Sequence, residues 1–145
     1  MKKILLPLEY FADEPEKIKE AVDIAKKFGS KITIFHVDNT QIMISRLQYE
    51  AYIDREAFED KPDNKENIDK IIKLYEDEGL EVEVKQKMGD PASEIITEAE
   101  EGDYDLVIMR THGMGAAKRF MLGSVTNKVV HHIKIPLLVV RERKE

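Results

Sequence analysis

Short apolar segments alternate with amphipathic segments along the whole sequence, and this alternation restricts the possible folds most strongly. Apolar or β-branched runs occur at residues 4–8, 31–37, 80–85, 105–109 and 136–140. Between them, apolar residues recur at the spacing of helices. Strands that alternate with helices predict an α/β fold, with a five-stranded parallel, doubly wound, Rossmann-like sheet and helices on both faces.

Several residues mark where the predicted helices begin and end. Asp13 followed by Pro15 predicts the start of the first helix, and Gly29 predicts a left-handed cap at its end. Asp90 followed by Pro91 predicts an N-cap and a first helical residue. The alternating strand at 80–85 is typical of a sheet edge with one face in water.

The predicted strand order is 3-2-1-4-5, with right-handed crossovers between parallel strands. In that order the first three strands are added towards one edge of the sheet, and the fourth and fifth strands are added on the other side of the first. The switch point therefore lies between the first and fourth strands. Ligands of such folds bind beyond the carboxyl ends of the strands at this point. The sequence therefore predicts a binding crevice beside Leu8 and Met109.

The loop that leaves the fourth strand carries glycines and leads into a helix. Gly113 lies in this loop, and Gly123 and Ser124 open the helix that follows. Glycine allows a close approach of backbone to ligand, and a helix N-terminus offers N–H groups and a positive dipole end. This combination predicts an anion site, most simply a phosphate site.

Composition limits the class of protein. The 145 residues are predicted to form a single domain, 1–145, and hydrophobic and charged contents of 42% and 36% are typical of soluble proteins. No apolar run is long enough to span a bilayer, so we expect no membrane partner. A net charge of −6 argues against nucleic acid as a partner, and the absence of cysteine fits a cytoplasmic location.

The histidines do not predict a catalytic centre. His112 lies in the glycine loop and could contact a phosphate, but the favoured interpretation is a polar loop residue without a specific role. His36 ends a strand and is expected to be structural. The adjacent His131 and His132 point in different directions on one helix and make a poor metal pair.

The order of segments and several local motifs resemble the universal stress protein family. The resemblance covers nearly the whole chain. The matching motifs are residues 4–7, 25–29, 35–37, 89–92, 106–109, 111–113, 118–119, 122–125 and 136–140.

The resemblance implies an adenine-nucleotide site, for AMP or for ATP with or without Mg²⁺. The ATP-binding branch of the family carries Gly-x2-Gly-x9-Gly-Ser/Thr, and here Arg110 occupies the position of the first glycine. By similarity, adenine lies near Val37 and the first-strand backbone, and the phosphates near the glycine loop and the helix after it. The implied nucleotide-binding residues are Pro7, Leu8, Glu9, Val37, Met109, Arg110, Gly113, Gly123, Ser124, Val125 and Thr126.

Two departures from the family pattern leave the state of this site open. Glu9 replaces the family's usual aspartate, and Arg110 replaces its glycine. In one arrangement the two side chains pair across the crevice and occupy the ribose position. In the other, Arg110 turns outward and adds positive charge for phosphates.

Three functions follow from these alternatives. The leading one is a regulatory adenine-nucleotide-binding protein of the stress response. The second is a nucleotide-free dimeric stress protein that acts through protein contacts, with the crevice plugged by Arg110 and Glu9 and an aromatic surface within residues 40–60. The third is a slow ATP-hydrolysing enzyme. The resemblance also implies a homodimer through the strand Leu137–Val140.

Overall fold

The structure, a computed structural model, describes residues 1–42, 44–45, 64–110 and 123–141. Five strands and four helices alternate in these residues, and a further helical stretch covers residues 40–42 and 44–45. The remainder of the predicted segment 40–60, with its aromatic residues, lies outside the described residues. The elements are β1 (Lys3–Leu8), α1 (Lys19–Phe28), β2 (Lys31–Asp38), α2 (Lys65–Glu76), β3 (Val82–Met88), α3 (Pro91–Glu101), β4 (Leu106–Arg110), α4 (Ser124–His132) and β5 (Leu137–Val140).

All strand pairs are parallel, and the strand order is β3-β2-β1-β4-β5. This confirms the predicted α/β fold and its strand order. Among the helices of the described residues, none combines the length and apolar character that a membrane crossing requires.

The apolar core has two layers, one on each face of the sheet. Ile4 and Leu6 of β1 pack on the face covered by α1 and α2, whereas Leu5 packs on the face covered by α3 and α4. All three side chains are fully buried. Burial of each contributes about 1.5–3 kcal/mol. The central strands are therefore apolar at consecutive positions, as the sequence predicted.

The pairing of β1 with β4 ends early, and this opens a crevice at the carboxyl edge of the sheet. In the described part of the chain these strands pair only where Ile4 lies beside Leu106 and Leu5 beside Val107. On the other side of β1, pairing with β2 continues to Leu8. The tips of β1 and β4 therefore separate from each other, although each stays paired with its outer neighbour.

The predicted start of α1 at Asp13 is wrong, because the helix begins at Lys19. The Ile18 amide donates a hydrogen bond to the Tyr75 hydroxyl at 2.9 Å, and Ile18 has extended backbone angles. The Asp13 carboxylate accepts from the Asn67 side chain at 3.0 Å. Both contacts are made to α2, so tertiary hydrogen bonds keep this segment from extending the helix.

Other predicted boundaries are confirmed. Gly29 caps α1 at φ +63°, a left-handed conformation that favours glycine. The Asp90 carboxylate accepts hydrogen bonds from the Ser93 amide at 3.1 Å and the Ser93 hydroxyl at 2.8 Å, and Pro91 begins α3. β3 lies at the predicted sheet edge, shifted by two residues from the predicted start of that strand.

A buried carboxylate anchors α3 to the sheet. Glu98 is only 7% exposed, and its Oε2 accepts a hydrogen bond from the Tyr104 hydroxyl at 2.8 Å. Lys85 Nζ lies 3.3 Å from the same oxygen, and Lys87 Nζ lies 3.5 Å from Oε1. Burial raises the pKa of Glu98. These donors and positive charges lower the pKa by a larger amount, so it lies below its ordinary value.

We expect Glu98→Gln to reduce the free energy of unfolding by about 2 kcal/mol at pH 7, because glutamine loses both ion pairs. Since the folded pKa is depressed, the contribution of the carboxylate is complete above the ordinary pKa of 4.5 and is lost as pH falls through the folded value. The difference between the two proteins should therefore shrink below about pH 4.5. Urea unfolding at pH 7 and pH 4 measures it.

Glu100→Gln, at an exposed position of the same helix, is the matched control and should change stability by less than about 0.5 kcal/mol. A pH-independent difference for Glu98→Gln would contradict a charged role for Glu98.

Candidate functional site

A cavity of about 560 Å³ lies at the carboxyl edge of the sheet, where β1 and β4 separate. It is lined by eight of the eleven residues that the sequence predicted for a nucleotide site. These are Pro7, Leu8, Glu9, Val37, Met109, Arg110, Val125 and Thr126. Gly123 and Ser124 immediately precede two of them in the chain, and Gly113 lies outside the described residues.

The N-terminus of α4 is positioned at this cavity by buried contacts with the sheet. Thr126 and Val129 are almost completely buried and fix the helix, while Val125 and Thr126 line the cavity. Gly123 is the N-cap, and no side chain caps the helix there. Its φ of −58° does not require glycine, so the benefit of glycine here is the bare backbone.

The first turn of α4 also differs in charge from the other helices. The first turns of α1, α2 and α3 carry Glu20, Glu66 and Glu94 respectively, whereas that of α4 carries no acidic residue. An acidic side chain near a helix N-terminus interacts favourably with the helix dipole. The start of α4 therefore suits an anion that comes from outside the chain.

The ion pair considered between Glu9 and Arg110 is not among the contacts of the described residues. In the described residues β1 ends at Leu8, and its pairing with β4 ends at Leu5 and Val107, so no strand pairing holds Glu9 beside Arg110.

Arg110 shares the α1–α2 face with Leu106 and Ile108, two residues of the same strand that pack there. Its Nε is buried and contacts no hydrogen-bond acceptor in the described part of the chain. Its charge also acts on Tyr75 of α2. Burial raises the pKa of the Tyr75 phenol, while the Ile18 amide and the positive charge of Arg110 oppose that rise.

His36 contacts the end of β1 and the segment that follows it. Its Nδ1 lies 3.2 Å from the Leu8 carbonyl oxygen, to which the ring N–H donates. The Phe11 ring lies 5.0 Å from the imidazole, centroid to centroid. The expectation that His36 is structural fits these contacts, which fix the segment that carries Glu9.

The sequence did not single out several further residues of the cavity wall. They are Tyr10, Phe11, Ala12, Pro15, Glu16, Phe35, Asn39, Asn67, Ile71, Pro91 and Ile95. Pro91 could have been found, because it follows the Asp90 cap at the same edge of the sheet. Asn67 could not, because its helix reaches the cavity only through tertiary packing. A second cavity of about 660 Å³ adjoins the first and shares Glu9, Val37 and Asn39 with it.

The arrangement suits binding of an anionic ligand. The start of α4 and the Arg110 side chain both favour negative charge in the cavity. Among the residues that the structure describes, no group of three or more histidine, aspartate or glutamate side chains could hold a metal ion.

Several solved structures have the same fold as this chain. The chain superposes on the structure of MJ0577 with a TM-score of 0.67 and 30% identity, covering 99% of this chain and 98% of that one. A universal stress protein from Archaeoglobus fulgidus, solved in complex with dAMP, gives a TM-score of 0.64 at 17% identity, covering 97% and 98%. Two other structures of this fold, at 17–18% identity and a TM-score of 0.61, are complexes with AMP (Arabidopsis thaliana) and cAMP.

Sequence comparison identifies the family. The universal stress protein MJ0531 of Methanocaldococcus jannaschii is 30% identical over 144 residues, which cover 99% of this chain and 84% of that protein. The sequence profile of the universal stress protein family matches residues 1–141. The chain therefore belongs to the universal stress protein family.

Proposed function

We propose that this protein is a cytoplasmic regulatory protein of the stress response that binds an adenine nucleotide, ATP or AMP, in the cavity between β1 and β4. The observation that carries the proposal is the convergence of the residues implied by the family motif on one cavity at the carboxyl edge of the sheet. Family relationship and the adenine nucleotides bound by proteins of the same fold agree with this ligand class.

The cavity offers a suitable environment for each part of the nucleotide. The 5′-phosphates would accept hydrogen bonds from backbone amides at the start of α4, near Ser124, Val125 and Thr126. The base would lie towards Val37, and the ribose at the separated tips of β1 and β4. Glu9 follows β1, where an acidic residue can accept a hydrogen bond from a ribose hydroxyl.

The nucleotide-free alternative has less support. It requires Glu9 and Arg110 to close the crevice by pairing, and that ion pair is not among the contacts of the described residues. The cavity also retains about 560 Å³, a volume typical of small-molecule sites.

Ser124→Asp separates nucleotide binding from folding. Ser124 is exposed in the first turn of α4, where an aspartate favours the helix dipole but repels a phosphate. We expect an unchanged or raised melting temperature, together with binding of AMP and ATP weakened about tenfold or more, or about 1.4 kcal/mol. Isothermal titration calorimetry and thermal unfolding measure the two effects.

Thr97→Asp is the control, because it adds the same charge at an exposed position of α3 outside the cavity wall. It should leave the affinity for AMP within about twofold. Equal affinities of the wild type and Ser124→Asp would contradict the placement of the phosphate at α4.

The proposal also includes a homodimer formed through β5. This strand is at the edge of the sheet and presents four apolar residues, Leu137–Val140. An unpaired apolar edge tends to pair with another strand unless it is covered. A twofold arrangement would let each copy cover the edge of the other.

Light scattering coupled to size-exclusion chromatography should therefore give twice the chain mass of 16.8 kDa at micromolar concentration. A mass of one chain under those conditions would refute the dimer without affecting the nucleotide proposal.

A further inference from the structure

The Arg110 side chain carries a hydrogen-bonding capacity that the described part of the chain does not use. Its Nε is buried and without an acceptor there, and the residue lines the cavity. Buried polar groups in proteins nearly always have a partner, and a charged donor is the most costly kind to leave unpaired. A ligand group with anionic oxygens would supply the missing acceptor, because a guanidinium binds phosphate through its fork of N–H groups.

Arg110 and the start of α4 favour anions at two separate places. Arg110 belongs to the face of the sheet covered by α1 and α2, on which Leu8 and Ile71 also pack. Val125 at the start of α4 packs on the opposite face. The cavity wall includes residues from both faces, so a single ligand at the separated strand tips can approach both places.

A ribose ring is a suitable link between the two. If its 5′-phosphate is directed to α4, its 2′ and 3′ oxygens are on the other side of the ring. A phosphate on either oxygen would then be directed towards Arg110. In dinucleotide-binding folds an arginine near the ribose accommodates a 2′-phosphate in a comparable way.

We propose that Arg110 makes the site selective for adenine nucleotides that carry a second phosphate on the 2′ or 3′ oxygen of the ribose. This inference rests on the proposed nucleotide-binding function and specifies its ligand class. Glu9 and Glu16 also line the cavity and are exposed to water, which screens their charges, and Glu9 would bind the ribose hydroxyl that carries no phosphate. The Nε of Arg110 is buried, so water screens this part of the guanidinium less.

The test compares ADP with adenosine bisphosphates that carry the same number of phosphates at other positions, with AMP as the reference. Isothermal titration calorimetry is performed with AMP, ADP, adenosine 3′,5′-bisphosphate and adenosine 2′,5′-bisphosphate. ADP carries both phosphates on the 5′ side, so it controls for total charge. We expect one of the two bisphosphates to bind about tenfold or more tightly than ADP.

Variants of Arg110 test the assignment of this preference. Arg110→Gly should reduce the affinity ratio of bisphosphate to ADP to about one, and Arg110→Lys should retain part of it because lysine keeps the charge but not the fork. Arg110→Met keeps the apolar stem and replaces the glycine variant if that variant does not fold. Arg141→Gly, at an exposed arginine just after β5 and outside the cavity wall, should keep the wild-type ratio.

The outcomes separate the two levels of the proposal. Binding of AMP and ADP without any preference for a bisphosphate would overturn the role of Arg110 and leave the proposed function standing. A preference that survives in both Arg110→Gly and Arg110→Met would also overturn that role. Failure of all four nucleotides and of ATP to bind would overturn the proposed function, and this inference with it.

Discussion

The early separation of β1 from β4 is the constraint on which the rest of the site depends. Each strand keeps its outer neighbour to the end, but their mutual pairing ends at Leu5 and Val107. The chain reverses its direction of winding between these strands, so the connections that follow them cross to different sides of the sheet. The resulting crevice has backbone from two strand tips on its walls and a helix N-terminus at one end.

The burial of the central strands on both faces also determines on which face of the sheet Arg110 lies. The same alternation that places Leu106 and Ile108 on one core layer and Val107 on the other sets the direction of Arg110. The Arg110 side chain and the start of α4 consequently reach one cavity from opposite faces of the sheet. Elsewhere charge serves stability, as at Glu98, where donors from the sheet and from Tyr104 hold a buried carboxylate in its charged form.

Local features were predictable from the sequence because their causes are local. The cap at Asp90 and the left-handed turn at Gly29 depend on residues within a few positions of each other, and the alternation of strands with helices indicates a parallel sheet. The start of α1 was missed because it depends on a hydrogen bond between Ile18 and Tyr75, distant in sequence. The sequence left open whether Glu9 pairs with Arg110, because the order of the strands does not reveal where β1 and β4 separate.

The family motif predicted many residues of the candidate site, whereas the part of the cavity wall that α2 contributes was not predicted. Asn67 and Ile71 reach the cavity only because α2 packs across the exit of β1. No local pattern marks them as binding residues.

A crystal structure of the protein grown with excess AMP tests the central claim most directly. The account predicts density for the nucleotide between the tips of β1 and β4, with its phosphate oxygens within hydrogen-bond distance of the backbone amides of residues 124–126. A cavity that contains only solvent or the protein's own side chains, or a phosphate bound away from α4, would contradict it.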